Sequence, residues 1–354
     1  MNRFLAVSLA TMTACLAAAQ WSATVLHPSI ADHSYGVGGA GGRQVGEASL
    51  GGNTHAILWG GSSSSWLDLN PTGATDSSAA GIEGTQQVGA SRFGGLWRAG
   101  IWNGSAASWV DMHPSGASES WGTEMSFGKQ SGGAEFGGEL HAGLWSGTAA
   151  SFIDLHPTGS TRSYANGIRD GQEVGFAWFG GVNHAGIWTG TAASFVDVHP
   201  MGAIGSSLHG TSFDQQVGFA NFSGSNRAGL WEGSGASFVD LGPAGSTSSR
   251  AFAVSDGYQV GEANVDGVLQ ASIWNGSSSS WESLHSFLPG TYADSQAYGV
   301  WRDGSTLFVL GFAYNSDLSR DEAVLWRSAT AVPEPATMFA VGLGVLAILR
   351  RRRR

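Results

Sequence analysis

A tryptophan recurs at Trp59, Trp102, Trp145, Trp188, Trp231 and Trp274, always 43 residues after the last, and a looser copy ends at Trp326. Prolines keep the same interval at Pro28, Pro71, Pro114, Pro157, Pro200 and Pro243, with Ser286 in the next place. A chain built this way consists of supersecondary units that bury their apolar faces only against one another. Within one unit the turn signals mark four short strands. Ser163 to Ile168 is the first, Asp170-Gly171 a hairpin signal, and Glu173 to Ala177 the second. After Phe179-Gly180-Gly181 the third strand ends at Ala185-Gly186-Ile187-Trp188, and the fourth, Ser194 to His199, stops at Pro200, which cannot donate to a ladder. Four strands in so short a unit leave room only for hairpin loops, the pattern of a β-propeller blade.

The two ends of the repeat array decide how the ring closes. A fourth-strand signal, Ala23 to Pro28, precedes any complete unit, whereas the chain after Trp326 leaves the repeat without one. Seven tryptophan-bearing strands therefore face seven fourth strands, one of them supplied from the N-terminal side. The expectation is an all-β, seven-bladed β-propeller of four-stranded antiparallel blades, its last blade closed by the N-terminal strand so that no long edge stays exposed. Residues 20–329 are assigned to this ring, 1–19 to a signal peptide and 330–354 to a sorting signal.

The terminal segments read as addresses. Arg3 precedes an apolar run from Phe4 to Ala19 that closes on Ala17-Ala18-Ala19, the layout of an export signal. A lipobox at Met12-Thr13-Ala14-Cys15 competes with it, but Met12 departs from the usual aliphatic residue. Cys15 is the single cysteine, so neither a disulfide framework nor a thiolate metal site is available. At the other end Val332-Pro333-Glu334-Pro335 is followed by an apolar run, 336–349, and the arginines Arg350 to Arg354. That order of parts resembles the PEP-CTERM sorting signal of Gram-negative bacteria. The resemblance implies an exosortase as partner, cleavage near the motif, and delivery to the outer envelope or beyond, often beside exopolysaccharide. A fourteen-residue helix reaches about 21 Å of a roughly 30 Å hydrocarbon core, which suits a transient hold in the inner membrane.

The repeat itself reads Gly167-Ile168, Gly171-Gln172, Val174-Gly175 and His184-Ala185-Gly186-Ile187-Trp188. It resembles the bacterial HAF family of extracellular repeats, with Gly186 where that family has Phe, and with Arg98, Arg227 and Gln270 in place of the histidine in other units. The resemblance implies a secreted or surface propeller and no chemistry.

Charge narrows the partners. The formal net charge is −10, and since Arg3 and Arg350 to Arg354 sit at the ends, the body is more acidic still. A phosphate backbone needs Lys and Arg to displace its counterions, so nucleic acid is not an expected ligand.

Equivalent positions in a propeller form rings, so a repeated polar residue is either a binding ring or a repeated structural device. Asp68, Asp111, Asp154, Asp197 and Asp240 are expected to accept backbone N–H bonds from the adjacent turn. His27, His113, His156, His199 and His285 share one position and are expected to cap the same turn, being too far apart around a ring to share a metal. The periodic tryptophans are assigned to the blade-to-blade core, while Trp121, Trp178 and Trp301 lie outside that series and are the candidates for ligand-facing aromatics. No cofactor or metal is expected. Asp317, Asp321 and Glu322 crowd the longer loop of the last unit and are the one candidate calcium cluster, but their spacing fits no EF-hand or glycine-nonapeptide loop. No nucleophile elbow, His-Glu-x-x-His helix or phosphate loop is present. The reading is an exported, non-catalytic scaffold that binds polysaccharide, with a secreted glycan-active hydrolase or lyase as the alternative.

Overall fold

The computed structural model describes residues 21–212 and 214–328. Seven four-stranded antiparallel sheets form a ring, a seven-bladed β-propeller. Blade 4 shows the pattern: Ser163–Arg169 is the inner strand, followed outward by Gln172–Phe179, Val182–Trp188 and the short outer strand Val196–Asp197. Blades 1, 2, 3, 5 and 6 begin at Ser34, Asp76, Ser120, Gly205 and Ser248. Blade 7 combines Tyr292–Asp303, Thr306–Asn315 and Arg320–Ser328 with Trp21–Val25, which pairs antiparallel with the last of these. The closing strand lies two residues earlier than its expected start at Ala23, and the pairing continues through Leu26, whose N–H donates to Ala323 O at 2.8 Å.

The outer strands are shorter than the sequence suggests. Of Ser194 to His199 only Val196–Asp197 is strand. Ala192–Ser194 forms a 3-10 turn because Ser194 Oγ accepts from Thr189 N–H and donates to Thr191 O, and the chain turns again at Asp197, whose carboxylate accepts from His199 N–H. Such short edges present few open backbone groups to another chain.

Each inner strand carries a β-bulge. In blade 4 Ala165 pairs with Gly175 and Gly167 with Val174, leaving Asn166 without a partner. The bend pushes Tyr164 O onto Gly175, where any Cβ would overlap it. This explains the glycine at this place in every unit, after a core valine in five of them and after Ser131 and Leu310 in blades 3 and 7.

The core is a set of seven seams between blades. In the seam between blades 3 and 4, Leu144 and Leu155 pack against Ile168, Ala177 and Trp188. All seven periodic tryptophans are at most 1% exposed. Trp102, Trp145, Trp231 and Trp326 also donate their indole N–H to an outer-strand carbonyl of the preceding blade at 2.7–3.0 Å. Burying so large a side chain ties one sheet to the next, with the donor satisfied in these four and left without a partner in Trp59, Trp188 and Trp274.

Candidate functional site

The polar residues that repeat are joined in relays across the seams. Asp154 Oδ1 accepts from His156 N–H at 2.8 Å, and Oδ2 lies 2.8 Å from His141 Nδ1. His156 Nε2 lies 3.0 Å from Ser160 O and Nδ1 lies 2.9 Å from Ser163 Oγ. A carbonyl can only accept, so Nε2 carries the proton and Nδ1 accepts from the serine hydroxyl. Ser163 Oγ in turn accepts from Ala142 N–H of blade 3 at 2.9 Å. The same serine-to-backbone bond crosses all seven seams, from Ala56 to Ser77 round to Ala323 and Ser34. Burial holds the His27, His156, His199 and His285 imidazoles below their ordinary pKa, which suits a neutral ring in this role.

One group of side chains has the composition of a metal site. Glu139, His141 and His156 bring ligand atoms within 4.8 Å of one another. The two imidazoles, however, are stacked face to face, 4.0 Å between centroids at 15°, so no single ion lies in the plane of both rings. His184 and His199 stack the same way at 4.3 Å, with Asp197 bonded to His184 as Asp154 is to His141 but Val182 at the place of Glu139, which marks the pair as part of the repeat. Nor are Asp317, Asp321 and Glu322 gathered around one point. Asp321 accepts from Tyr35 OH, and Glu322 accepts from Tyr292 OH, Asn315 and Arg320.

The three non-periodic tryptophans fall in different places. Trp301, expected at the surface, is 8% exposed: its ring fills the space left by Gly39 of blade 1 and lies parallel to Phe308 at 5.4 Å, so it offers no face to a ligand. Trp178 is half-buried with the Arg162 guanidinium 5.4 Å over its ring. Trp121 is half-buried on the inner strand of blade 3, opposite Gly133. Trp301 lies across the ring from the other two, so the three form no common site.

What the sequence reading missed is the ring of bulge residues at the inner strands. Thr123 Oγ1 donates to Ala165 O and Asn166 Nδ2 to Leu208 O, each reaching the next blade. The arc then turns aromatic. Phe252 stacks on Tyr298 at 4.6 Å, Tyr298 on Phe312 at 5.9 Å, and Tyr35 meets Phe312 edge-on at 4.8 Å. Two ionisable groups break the repeat here. His209 Nε2 is buried without a partner, and burial with Arg250 nearby pushes the ring down to about 4. Glu124 occupies the position of Gly167, and burial pushes its carboxyl up to about 7 against the opposing pull of the Met125 N–H and Arg169. The signal was present in the sequence as a slot, just before Gly-Ile in blade 4, that changes chemistry from unit to unit.

The targeting segments lie outside the described residues, as do the apolar run 336–349 and the motif at Val332 to Pro335. Residues 331–354 match the family described as "PEP-CTERM protein-sorting motif". The chain carries an exosortase recognition signal. Among the described residues no helix is long and apolar enough to cross a membrane. No curated protein matches the sequence. Solved structures match the fold. Puromycin hydrolase is 11% identical with a TM-score of 0.56, covering 85% of this chain and 56% of its own, so the chain spans just over half of that enzyme. The β-propeller domain of the Trilobed protease from Pyrococcus furiosus is 11% identical with a TM-score of 0.54, over 87% of this chain and 98% of that one. That domain is described as having an open velcro topology, whereas here Trp21–Val25 closes the last blade. At such identity the likeness speaks for the fold alone.

Proposed function

We propose that the protein is a non-catalytic propeller scaffold, exported and released to the cell envelope or beyond by an exosortase, that binds extracellular polysaccharide. The observation that carries this reading is the joining of a sorting motif at residues 331–354 to a ring whose repeated Asp, His and Ser side chains are engaged in seam relays. Half-buried aromatic rings at Trp121 and Trp178 support glycan contact, because ring faces stack on the CH faces of sugars, and the HAF resemblance supports the extracellular address. The apolar run and arginines of the tail hold the chain transiently in the inner membrane, with the arginines on the cytoplasmic side. Replacing Pro333-Glu334-Pro335 by alanines should leave an uncut, membrane-fractionating precursor. Mass spectrometry of the native surface protein checks this, and a C-terminal peptide still carrying Arg350 to Arg354 would contradict the processing step.

A second reading, a glycan-active hydrolase or lyase, is favoured by Glu124, a carboxyl held near neutrality in the inner ring. A glycan array followed by a hydrolysis screen on the hits separates the two. Turnover abolished by Glu124→Gln would favour the enzyme.

A further inference from the structure

The seams between blades are not all closed alike. On the side of the ring that carries the hairpins between the first and second strands, the residue that opens the second strand meets the next blade in some seams and not in others. In blade 4 this residue is Gln172, whose Oε1 accepts from Thr211 Oγ1 at 2.7 Å and from Gln216 Nε2 at 2.9 Å. In blade 6 it is Tyr258, with the Arg302 guanidinium 5.8 Å over its ring. In blade 1 it is Arg43, which makes no hydrogen bond to blade 2 among the described residues. A guanidinium has donors only, the place of Thr211 is taken by apolar Ile82, and the Gln87 Oε1 already accepts from Gly104 N–H.

The seam stays open as a result. Between blades 1 and 2 lies a cleft of about 400 Å³, within the range of small-ligand sites. Its apolar side is formed by Leu58, Trp59 and Leu67, the last 54% exposed, and its polar side by Ser65, Thr85 and Asn103. Arg43 stands at this cleft exposed, with no hydrogen bond or ion pair among the described residues. The other described arginines are held by carboxylates, lie on aromatic rings or, as Arg169, stand near the Glu124 carboxyl. In a body this acidic a cation left without a counter-charge is the exception.

We infer that the cleft between blades 1 and 2 binds an acidic saccharide unit, with the Arg43 guanidinium on its carboxylate. This rests on the polysaccharide-binding reading above and gives it a place and a ligand class. A planar carboxylate matches the guanidinium fork in a bidentate pair. The Thr85 hydroxyl and the Asn103 amide suit the hydroxyl rim of a pyranose, Ser65 being held by Ser62 within its own turn, and the Leu67 shelf suits its CH face. Lys129, at the same register in blade 3, has the Glu173 carboxyl nearby as its counter-charge and is not free in this sense.

The test is calorimetric titration of the purified full chain with a galacturonate hexamer and with a neutral glucan hexamer. The expected result is binding of the galacturonate that weakens with added salt, falls about tenfold or more in Arg43→Gln, as for loss of one charge-assisted pair, and is unchanged in Lys129→Gln. Arg43→Gln should melt with the wild type, since the side chain makes no contact to lose. Galacturonate binding that survives Arg43→Gln would overturn the cleft while leaving the polysaccharide reading in place. Binding of the glucan or other neutral glycans alone would overturn the acidic ligand class. No binding to either hexamer or to any member of a glycan array would remove both this inference and the reading on which it rests.

Discussion

Blades 1 to 6 and blade 7 have the same four-stranded sheet but close it differently. In the first six the outer strand follows its own third strand through a short loop, so pairing costs little chain entropy. In blade 7 the outer strand arrives from the opposite end of the chain, and Ser22 pairs with Arg327. The longer closure is offset by a longer seam. Five positions pair where blade 4 pairs two, Leu26 and His27 are buried, and Trp21 Nε1 donates to the Glu282 carboxylate of blade 6 at 3.3 Å. The comparison teaches that the repeat supplies equivalent blades, whereas the integrity of the ring rests on one joint that is not covalently continuous.

The most severe way to break that comparison is to remove the joint. Deleting residues 21–28 exposes the whole edge of Arg320–Ser328 and removes His27 from its bond to Ser34, so a sharp fall in melting temperature or outright aggregation is expected. An unchanged melting temperature would show that the ring holds without its latch.

Within the regular blades the seam core should dominate. Trp188→Ala is expected to cost about 3–5 kcal/mol, as for other large-to-small core changes, and Trp178→Ala about 1 kcal/mol or less, since that ring is only half-buried under Arg162. Equal denaturation midpoints for the two variants would reverse the assignment of core and surface.

The relays permit a like-for-like comparison of a regular seam with the closing one. Ser163→Ala leaves the buried Ala142 N–H without an acceptor and should cost about 1–3 kcal/mol. Ser34→Ala removes the same bond to Ala323, and the histidine it frees, His27, lies on the latch, whereas Ser163→Ala frees His156 within the continuous chain, so the cost at Ser34 should be the larger. Chemical denaturation of the two variants measures the difference. A smaller cost at Ser34 would mean that the latch is not the weaker joint.

The smallest effect is a gain. At the position of Glu173 five other blades carry glutamine, whose Oε1 accepts a loop N–H and, in four of them, whose Nε2 donates to a carbonyl at the preceding turn. Glu173 keeps the first bond, from Gly190 N–H, but its Oε1 is buried without a partner and burial raises its pKa. A carboxyl raised in the folded state binds more protons there than in the unfolded chain, so its contribution is intact at low pH and lost as pH climbs from the ordinary carboxylate range through the raised value. Glu173→Gln should therefore stabilise the protein by about 1 kcal/mol at neutral pH, with the advantage shrinking as pH falls from the raised value toward the ordinary carboxylate range, about pH 4. Melting curves from pH 4 to 8 check this, and an advantage independent of pH would point to another cause.

The interval of 43 residues by itself determined the number of blades, the order of strands and the origin of the closing strand. Copies that cannot bury their apolar faces alone must stack, and the half-unit offset between the chain ends leaves one way to complete the stack. The sorting segment was legible for a different reason: Val332 to Pro335, the apolar run and the arginines are contiguous, so recognition needs no fold. Only the tertiary structure decided what lies across each seam. Trp301 is buried because Gly39, far off in sequence, leaves room for it; the two-residue outer strands follow from serine-bonded turns; and Arg43 is left facing an open cleft because Ile82 and an already engaged Gln87 stand opposite. Periodicity treats such positions as equivalent from blade to blade, whereas their chemistry depends on pairs of residues from neighbouring copies.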